Sequence, residues 1–423
     1  MNEIYFIGLI FIIVSLFLIK DLYFRMFSLV YLIYYVIVPL FWLNYPIKGY
    51  FPIQISKEIK HIKILYDISP YIFFSYIAYF LGFIIIGSKK NVIRNKKINI
   101  KVIKIYGLFS LIIGIISITI LVYNFGNFIT AIPKIINLRW INSNTYIPFE
   151  FMRIFNPFVI VAFYVYYSLN KKKYMLLSFI ASIYFLILQS GRSHVLYFIF
   201  PIVYFKYINS KKTKQIYYIL LLVIVIIILT LYGDEIRKYF MNIPMNIKKN
   251  SLEENISKFI IQLSFPCFNL IRLFREGNIL RYGQDIFVIF NIIPGITMES
   301  LWQLNTKLFE SFNAGVPVDI LSFGIYQFGK IGMFIVMFIM GITTKLISRY
   351  FKRRKHIIYK LLEYRISILY AFIVINFDTE VFIRSGLPYI FGIIIFKILG
   401  ERNESRINIR NATRSYKNGS SIS

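Results

Sequence analysis

A single cysteine, Cys267, stands in 423 residues. That scarcity excludes an internal disulfide and any cysteine-built metal site. Histidine is nearly as rare: His61, His194 and His356 are the only three, and no H-E-x-x-H pair is among them. The chain also lacks a P-loop, a glycine-rich dinucleotide fingerprint and a G-x-S-x-G elbow, the usual signatures of soluble enzymes. Charge is thin as well. Charged residues make up 16% of the chain, where a soluble domain carries about a quarter. Acids are the scarcer sign, 19 against 49 Lys and Arg, which leaves a net charge of +30. No repeat of 20–50 residues is visible, which removes solenoids and propellers.

What fills the chain instead is oil. Hydrophobic residues reach 58%, and mean hydropathy is +0.65. Runs such as FIGLIFIIVSLFLI (6–19) and IYYILLLVIVIIILTLY (216–232) approach the length needed to cross a hydrocarbon core about 30 Å thick. The reading is an all-α polytopic membrane protein, because only helices satisfy their own backbone in lipid at these lengths. About eleven spans are expected: 4–19, 24–43, 69–88, 104–123, 154–169, 174–190, 193–208, 216–232, 321–347, 361–377 and 383–399. The first has no basic leader and no A-x-A site, and reads as an anchor.

The distribution of charge then sets orientation. Basic residues crowd 89–104, KKK (171–173), KKTK (211–214), KRRK (352–355) and the tail 401–423. All five fall on one side when the spans alternate, which makes that side cytoplasmic, with the N-terminus outside and the C-terminus inside. Lys48, Lys57, Lys60 and Lys63 run against this bias. Since the excess charge belongs to short loops, nucleic acid is not an expected partner. His356 falls in a basic cluster and reads as solvated. The tail reads as disordered.

The opposite side holds the only large loop, 233–320, where nine basic and nine acidic residues cancel. SLEE (251–254) has the form of a capping box. Apolar residues from Ile256 to Phe274 recur at helical spacing, with Pro266 as an expected kink. ESLWQLNTKLFESF (299–312) is a second amphipathic stretch. Such helices could lie among lipid headgroups or pack on the bundle.

Several arginines fall at the outer level. LQSGRSHVLYF (188–198) sits between two lysine runs, so its turn faces outward or lies in the bundle, and it carries Arg192. Arg139 and Arg153 belong to the loop 124–153, Arg384 falls near the outer end of the final hairpin, and Arg272 and Arg275 lie on the loop helix. Arg192 alone could snorkel to headgroups. Several guanidiniums converging on one cavity would suit phosphate or pyrophosphate, which they bind through forked hydrogen bonds.

The chain resembles the Wzy-type oligosaccharide repeat-unit polymerases that build O-antigen and capsule. The likeness covers most of it: many spans, one large external loop in the C-terminal half, and three local motifs. QSGRS (189–193) is similar to a small-residue–Arg turn after a central span. Tyr326 to Gly332 gives a Y-x-F-G-x-x-G core, and Arg272 to Gly283 an Arg, ten residues, Gly pattern. Two departures stand against it: Glu150 occupies the glycine place counted from Arg139, and Phe323-Gly324 stand where relatives carry an acid.

The resemblance implies a glycosyltransferase at the outer face of the cytoplasmic membrane. It would join lipid-linked repeat units, with an undecaprenyl-pyrophosphate-linked chain as donor and no cofactor. A chain-length regulator protein is the kind of partner implied. Arg192, Arg272, Arg384, Arg139 and Arg153 would bind the pyrophosphate. Asp378, Glu380, Asp319 and His194 are the options for activating the acceptor hydroxyl. The rivals are an O-antigen ligase, disfavoured by the absence of His from 233–320, and a flippase of lipid-linked oligosaccharide.

Overall fold

The computed structural model describes residues 3–44, 60–87, 97–141, 154–189, 192–240, 260, 263–277, 280–285, 287, 298–299, 301–308, 317–352, 354, 356–377 and 379–402. Helix α1 (Glu3–Leu18) turns at Asp21 into α2 (Leu22–Leu32), which runs through a π turn (Ile33–Ile37) into α3 (Val38–Asn44). Then follow α4 (Ile64–Ile85), α5 (Ile100–Tyr123), α6 (Ala131–Ile141), α7 (Phe158–Ser168), α8 (Lys172–Gln189), α9 (Arg192–Ile208) and α10 (Lys212–Phe240). The second half holds α11 (Phe265–Glu276), α12 (Leu301–Leu308), α13 (Ile320–Lys352), α14 (Ile357–Phe372) and α15 (Thr379–Ile395), the last ending in a π turn (Phe396–Gly400).

A helix stands at each of the eleven places where the apolar runs predict one. Five are long and apolar enough to cross a membrane: Leu22–Leu43, Ile64–Ile85, Ile100–Tyr123, Lys172–Gln189 and Ile320–Lys352. The chain is thus an all-α protein of the membrane type. Its polarity is inverted to match. Ile216, Leu220, Ile224 and Ile227 on α10 are exposed, as are Ile105 and Ile112 on α5. Ser28, Ser75, Asn269, Arg272, Asp319 and Arg365 are buried. In lipid the apolar exterior costs nothing, and polar groups must find partners inside.

The tightest joint is α4 against α13. A Cβ on Gly82 would sit 2.2 Å from the Phe338 carbonyl oxygen, and one on Gly341 would sit 2.1 Å from that of Tyr79. Backbone therefore meets backbone, the close approach that small residues allow between membrane helices.

Helix α13 is not one rod. Phe328 (φ −140°) and Gly329 (φ 67°, ψ −158°) leave helical geometry. Gly324 and Gly332, four residues before this break and three after, touch backbone to backbone. In a straight helix eight residues would separate them by about 12 Å. The short arm 320–327 is therefore folded back beside the long arm 330–352, so of the span expected at 321–347 only the part from 330 onward belongs to the long helix. Gly329 occupies a region of φ/ψ that only glycine adopts readily. Open space surrounds its missing Cβ. Gly329→Ala is accordingly expected to cost about 1–3 kcal/mol through backbone strain alone. A thermal unfolding midpoint equal to wild type would contradict that.

The structure bears on two expectations for the large loop. The helical pattern is interrupted at Pro266 as expected: Ile260 and Leu263 are helical, Ser264 is a turn, and α11 starts at Phe265 with Pro266 in its first turn, where its missing N–H is no loss. Of the two placements open to the first loop helix, headgroups or bundle, α11 takes the second: Pro266 through Leu273 are all buried. The helix packs on the bundle, with Phe274 against Tyr71 of α4 (5.2 Å between rings). The capping box at 251–254 lies outside the described residues.

At one end of the bundle several basic segments meet. Lys352 pairs with Asp21 (3.0 Å), whose carboxylate also accepts from Ser348, and Arg349 donates to the Ile86 carbonyl. Lys97–Ile98 pairs antiparallel with Glu401–Arg402, so the basic loop and the start of the tail lie together. His356 is not simply solvated. Its Nδ1 accepts from Ile358 N (3.3 Å) as the N-cap of α14, and burial lowers its pKa below the ordinary value, favouring the neutral ring that can accept.

Candidate functional site

The fold-back of α13 creates the site. Asp319 caps the short arm: its Oδ1 accepts from Leu321 N (3.1 Å) and Ser322 N (3.0 Å). The same oxygen accepts from the Tyr35 hydroxyl, which the π turn of α2–α3 places there. Oδ2 accepts from Asn269 Nδ2 on α11 (3.1 Å). Donors thus surround a carboxylate that is 0% exposed, and the positive end of the short arm's dipole adds to them. The geometry fixes both carboxyl oxygens in place. It leaves little freedom for a proton acceptor.

Non-helical backbone around Asp319 is satisfied by a second irregular segment. Ile320 N donates to Val374 O (3.2 Å), and Phe377 N donates to Val318 O (2.6 Å). Irregular backbone at such depth is tolerated only where protein surrounds it.

From Asn269 a relay leads outward to an arginine. Asn305 on α12 donates to Asn269 Oδ1 (3.2 Å), and Arg272 Nη2 donates to Asn305 Oδ1 (2.7 Å). Arg272 Nη2 also reaches the Tyr326 hydroxyl (2.8 Å), which itself donates to Asn305 Oδ1 (3.0 Å). Arg272 is 2% exposed, so its fixed charge is held entirely within protein.

The carbonyl end of the short arm is gripped by the loop after α11. Arg281 N donates to Tyr326 O (2.9 Å) and Tyr282 N to Gln327 O (3.3 Å). Gly283, at φ 86°, donates its N–H to Gln327 Oε1 (2.7 Å). Gln327 Nε2 reaches Asp285 (2.5 Å), which pairs with Arg281 (2.9 Å). Two stretches singled out in the sequence therefore meet here. Arg272 and Gly283, the ends of one pattern, hold the side chains of Tyr326 and Gln327, the first two residues of the other.

Of the residues picked from sequence, the structure brings Arg272 and Asp319 into one network. His194 stands elsewhere, on α9, edge-on to Tyr197 (5.8 Å) and Phe185 (6.5 Å). Arg192 begins α9, Arg139 lies on α6, and Glu380 and Arg384 lie on α15, but their side chains fall outside the described set. Arg153 and Asp378 lie outside the described residues. Sequence reasoning missed Tyr35, Asn269, Asn305 and Gln327, whose uncharged polar groups give no signal in an apolar run. It also missed Arg365, where the signal was present: a cation inside the first third of the expected span 361–377 (LLEYRISILYAFIVINF).

Compared with family models, with curated proteins and with solved structures, the chain matches none.

Proposed function

We propose that the chain is a glycosyltransferase of the outer face of the cytoplasmic membrane, polymerising lipid-linked oligosaccharide repeat units. The observation that carries this reading is the meeting of Arg272 and Gly283 with Tyr326 and Gln327 at the break of α13. These are two of the three local stretches that carry the resemblance to repeat-unit polymerases. About eleven crossings, an external N-terminus and a cytoplasmic tail belong to the same reading.

In this mechanism the donor is a glycan on undecaprenyl pyrophosphate. Arg272 stabilises the pyrophosphate as the anomeric carbon–oxygen bond breaks, with Arg192, Arg384, Arg139 and Arg153 as further contacts. The acceptor hydroxyl oxygen bonds the anomeric carbon and gives its proton to a carboxylate. Asp378 and Glu380 suit that role better than Asp319, whose oxygens already accept from Tyr35, Leu321, Ser322 and Asn269. Asp319 instead fixes Arg272 through the Asn269–Asn305 relay.

Arg272→Lys keeps the charge and loses the planar fork. It is expected to reduce long surface polysaccharide at least tenfold at normal protein abundance, leaving a single capped repeat on the gel. A wild-type ladder from this variant would refute the role. One observation favours a second reading, a flippase: a discontinuous helix with a polar half-helix terminus inside the bundle also occurs in transporters. Deleting the gene separates the two. Loss of all surface glycan with lipid-linked units trapped inside means transport, and retention of single repeats means polymerisation.

A further inference from the structure

Arg365 lies at the middle of α14, about 12 Å from either end by helical rise. It is 2% exposed. Its guanidinium carbon stands 4.4 Å from the Tyr197 ring of α9 and 5.0 Å from the Tyr389 ring of α15. Nε and Nη1 are buried and reach no acceptor of good geometry, and the polar group facing the guanidinium among the described residues is the Tyr389 hydroxyl, which interacts with it. No acidic side chain among the described residues pairs with Arg365. The acid closest in sequence, Glu363, is joined to Lys360 (2.6 Å).

A guanidinium does not shed its proton in a protein, so this charge cannot be neutralised by titration. Two aromatic faces offset part of the cost of burial, but they accept none of the N–H bonds. The third ring nearby, Tyr164, spends its hydroxyl on the Tyr197 and Phe198 carbonyls (3.2 and 3.0 Å). Even with the Tyr389 oxygen turned to the guanidinium, the site has more N–H and O–H donors than acceptors, next to one fixed positive charge. The complement of such a set is an anion with several acceptor oxygens. The anions a bilayer supplies in quantity are phosphates.

We propose that Arg365, with Tyr389, forms an interior binding site for a phosphate-type oxyanion in the wall between α9, α14 and α15. The site is distinct from the Asp319–Arg272 network and does not rest on the glycosyltransferase reading. The phosphate could arrive on a lipid headgroup or free from solution, and the test separates these sources.

The full chain would be reconstituted in phosphatidylcholine nanodiscs and its thermal unfolding followed in three arms: inorganic phosphate, chloride at matched ionic strength, and nanodiscs containing phosphatidylglycerol. Phosphate is expected to raise the midpoint above chloride if the ligand is soluble, and phosphatidylglycerol to raise it if the ligand is a headgroup. Arg365→Met should lose that increment while its baseline midpoint stays equal or rises, because an unpaired buried charge has been removed. Arg365→Lys, which keeps the charge but not the fork, should need at least tenfold more phosphate, or phosphatidylglycerol, for half the effect. It decides the matter should the Met variant not fold. An increment that survives unchanged in the variants would overturn the proposal, as would no increment over chloride and phosphatidylcholine in the wild-type protein.

Discussion

Asp319→Ala is expected to lower stability by about 3 kcal/mol or more, because it orphans buried donors at about 1–3 kcal/mol each. Ser322 N loses its acceptor inside the bundle, and Leu321 N keeps only a long contact to the Tyr35 hydroxyl (3.5 Å). Tyr35 retains a longer contact to the Val374 carbonyl (3.3 Å), and Asn269 retains Pro317 O (2.9 Å), so those two are partly rescued. Asp319→Asn tests the account. Its amide oxygen can still cap the short arm, while its NH₂ would face that of Asn269, so less than half of the loss is expected. Midpoints of thermal unfolding in nanodiscs would measure both. If Ala and Asn variants fell equally, capping would not be what Asp319 contributes.

Gly82→Leu should be more severe still. Overpacking a core side chain costs about 1–3 kcal/mol when neighbours can turn aside. Here the obstacle is the Phe338 carbonyl, and a backbone atom cannot choose another rotamer. The helices α4 and α13 must part along their whole contact, so folded protein should be absent by size-exclusion of a fluorescent fusion. Gly341→Leu acts on the same joint from the other side and should give the same result. Gly87→Leu, at a position with nothing within 4 Å of the added atom, is the matched control and should fold. Recovery of well-folded Gly82→Leu protein would mean that the joint is loose.

The helices were legible in the sequence because runs of Ile, Leu and Phe state their own length. The break in α13 was not. F-G-x-x-G reads as ordinary small residues at the start of a span, and only the φ of Gly329 and the contact of Gly324 with Gly332 reveal a fold-back. The burial of α11 was hidden for another reason. Balanced charge in 233–320 points to water, yet Arg272 is inward because Asn305 and Tyr326, 33 and 54 positions away, satisfy it. Pairings across such distances leave no local trace. Arg272 and Asp319 could be picked singly by their charge, and their connection through two asparagines could not.

The joint at Gly82 also sets a timetable. Its partner Phe338 is made about 250 residues later, which at about 5–20 residues per second takes roughly 12–50 s. Throughout that interval α4 has entered the bilayer without the surface that its glycine is shaped to meet. That face of α4 must therefore wait uncovered, while its other faces pack on α1 and α2, until the second half has been synthesised.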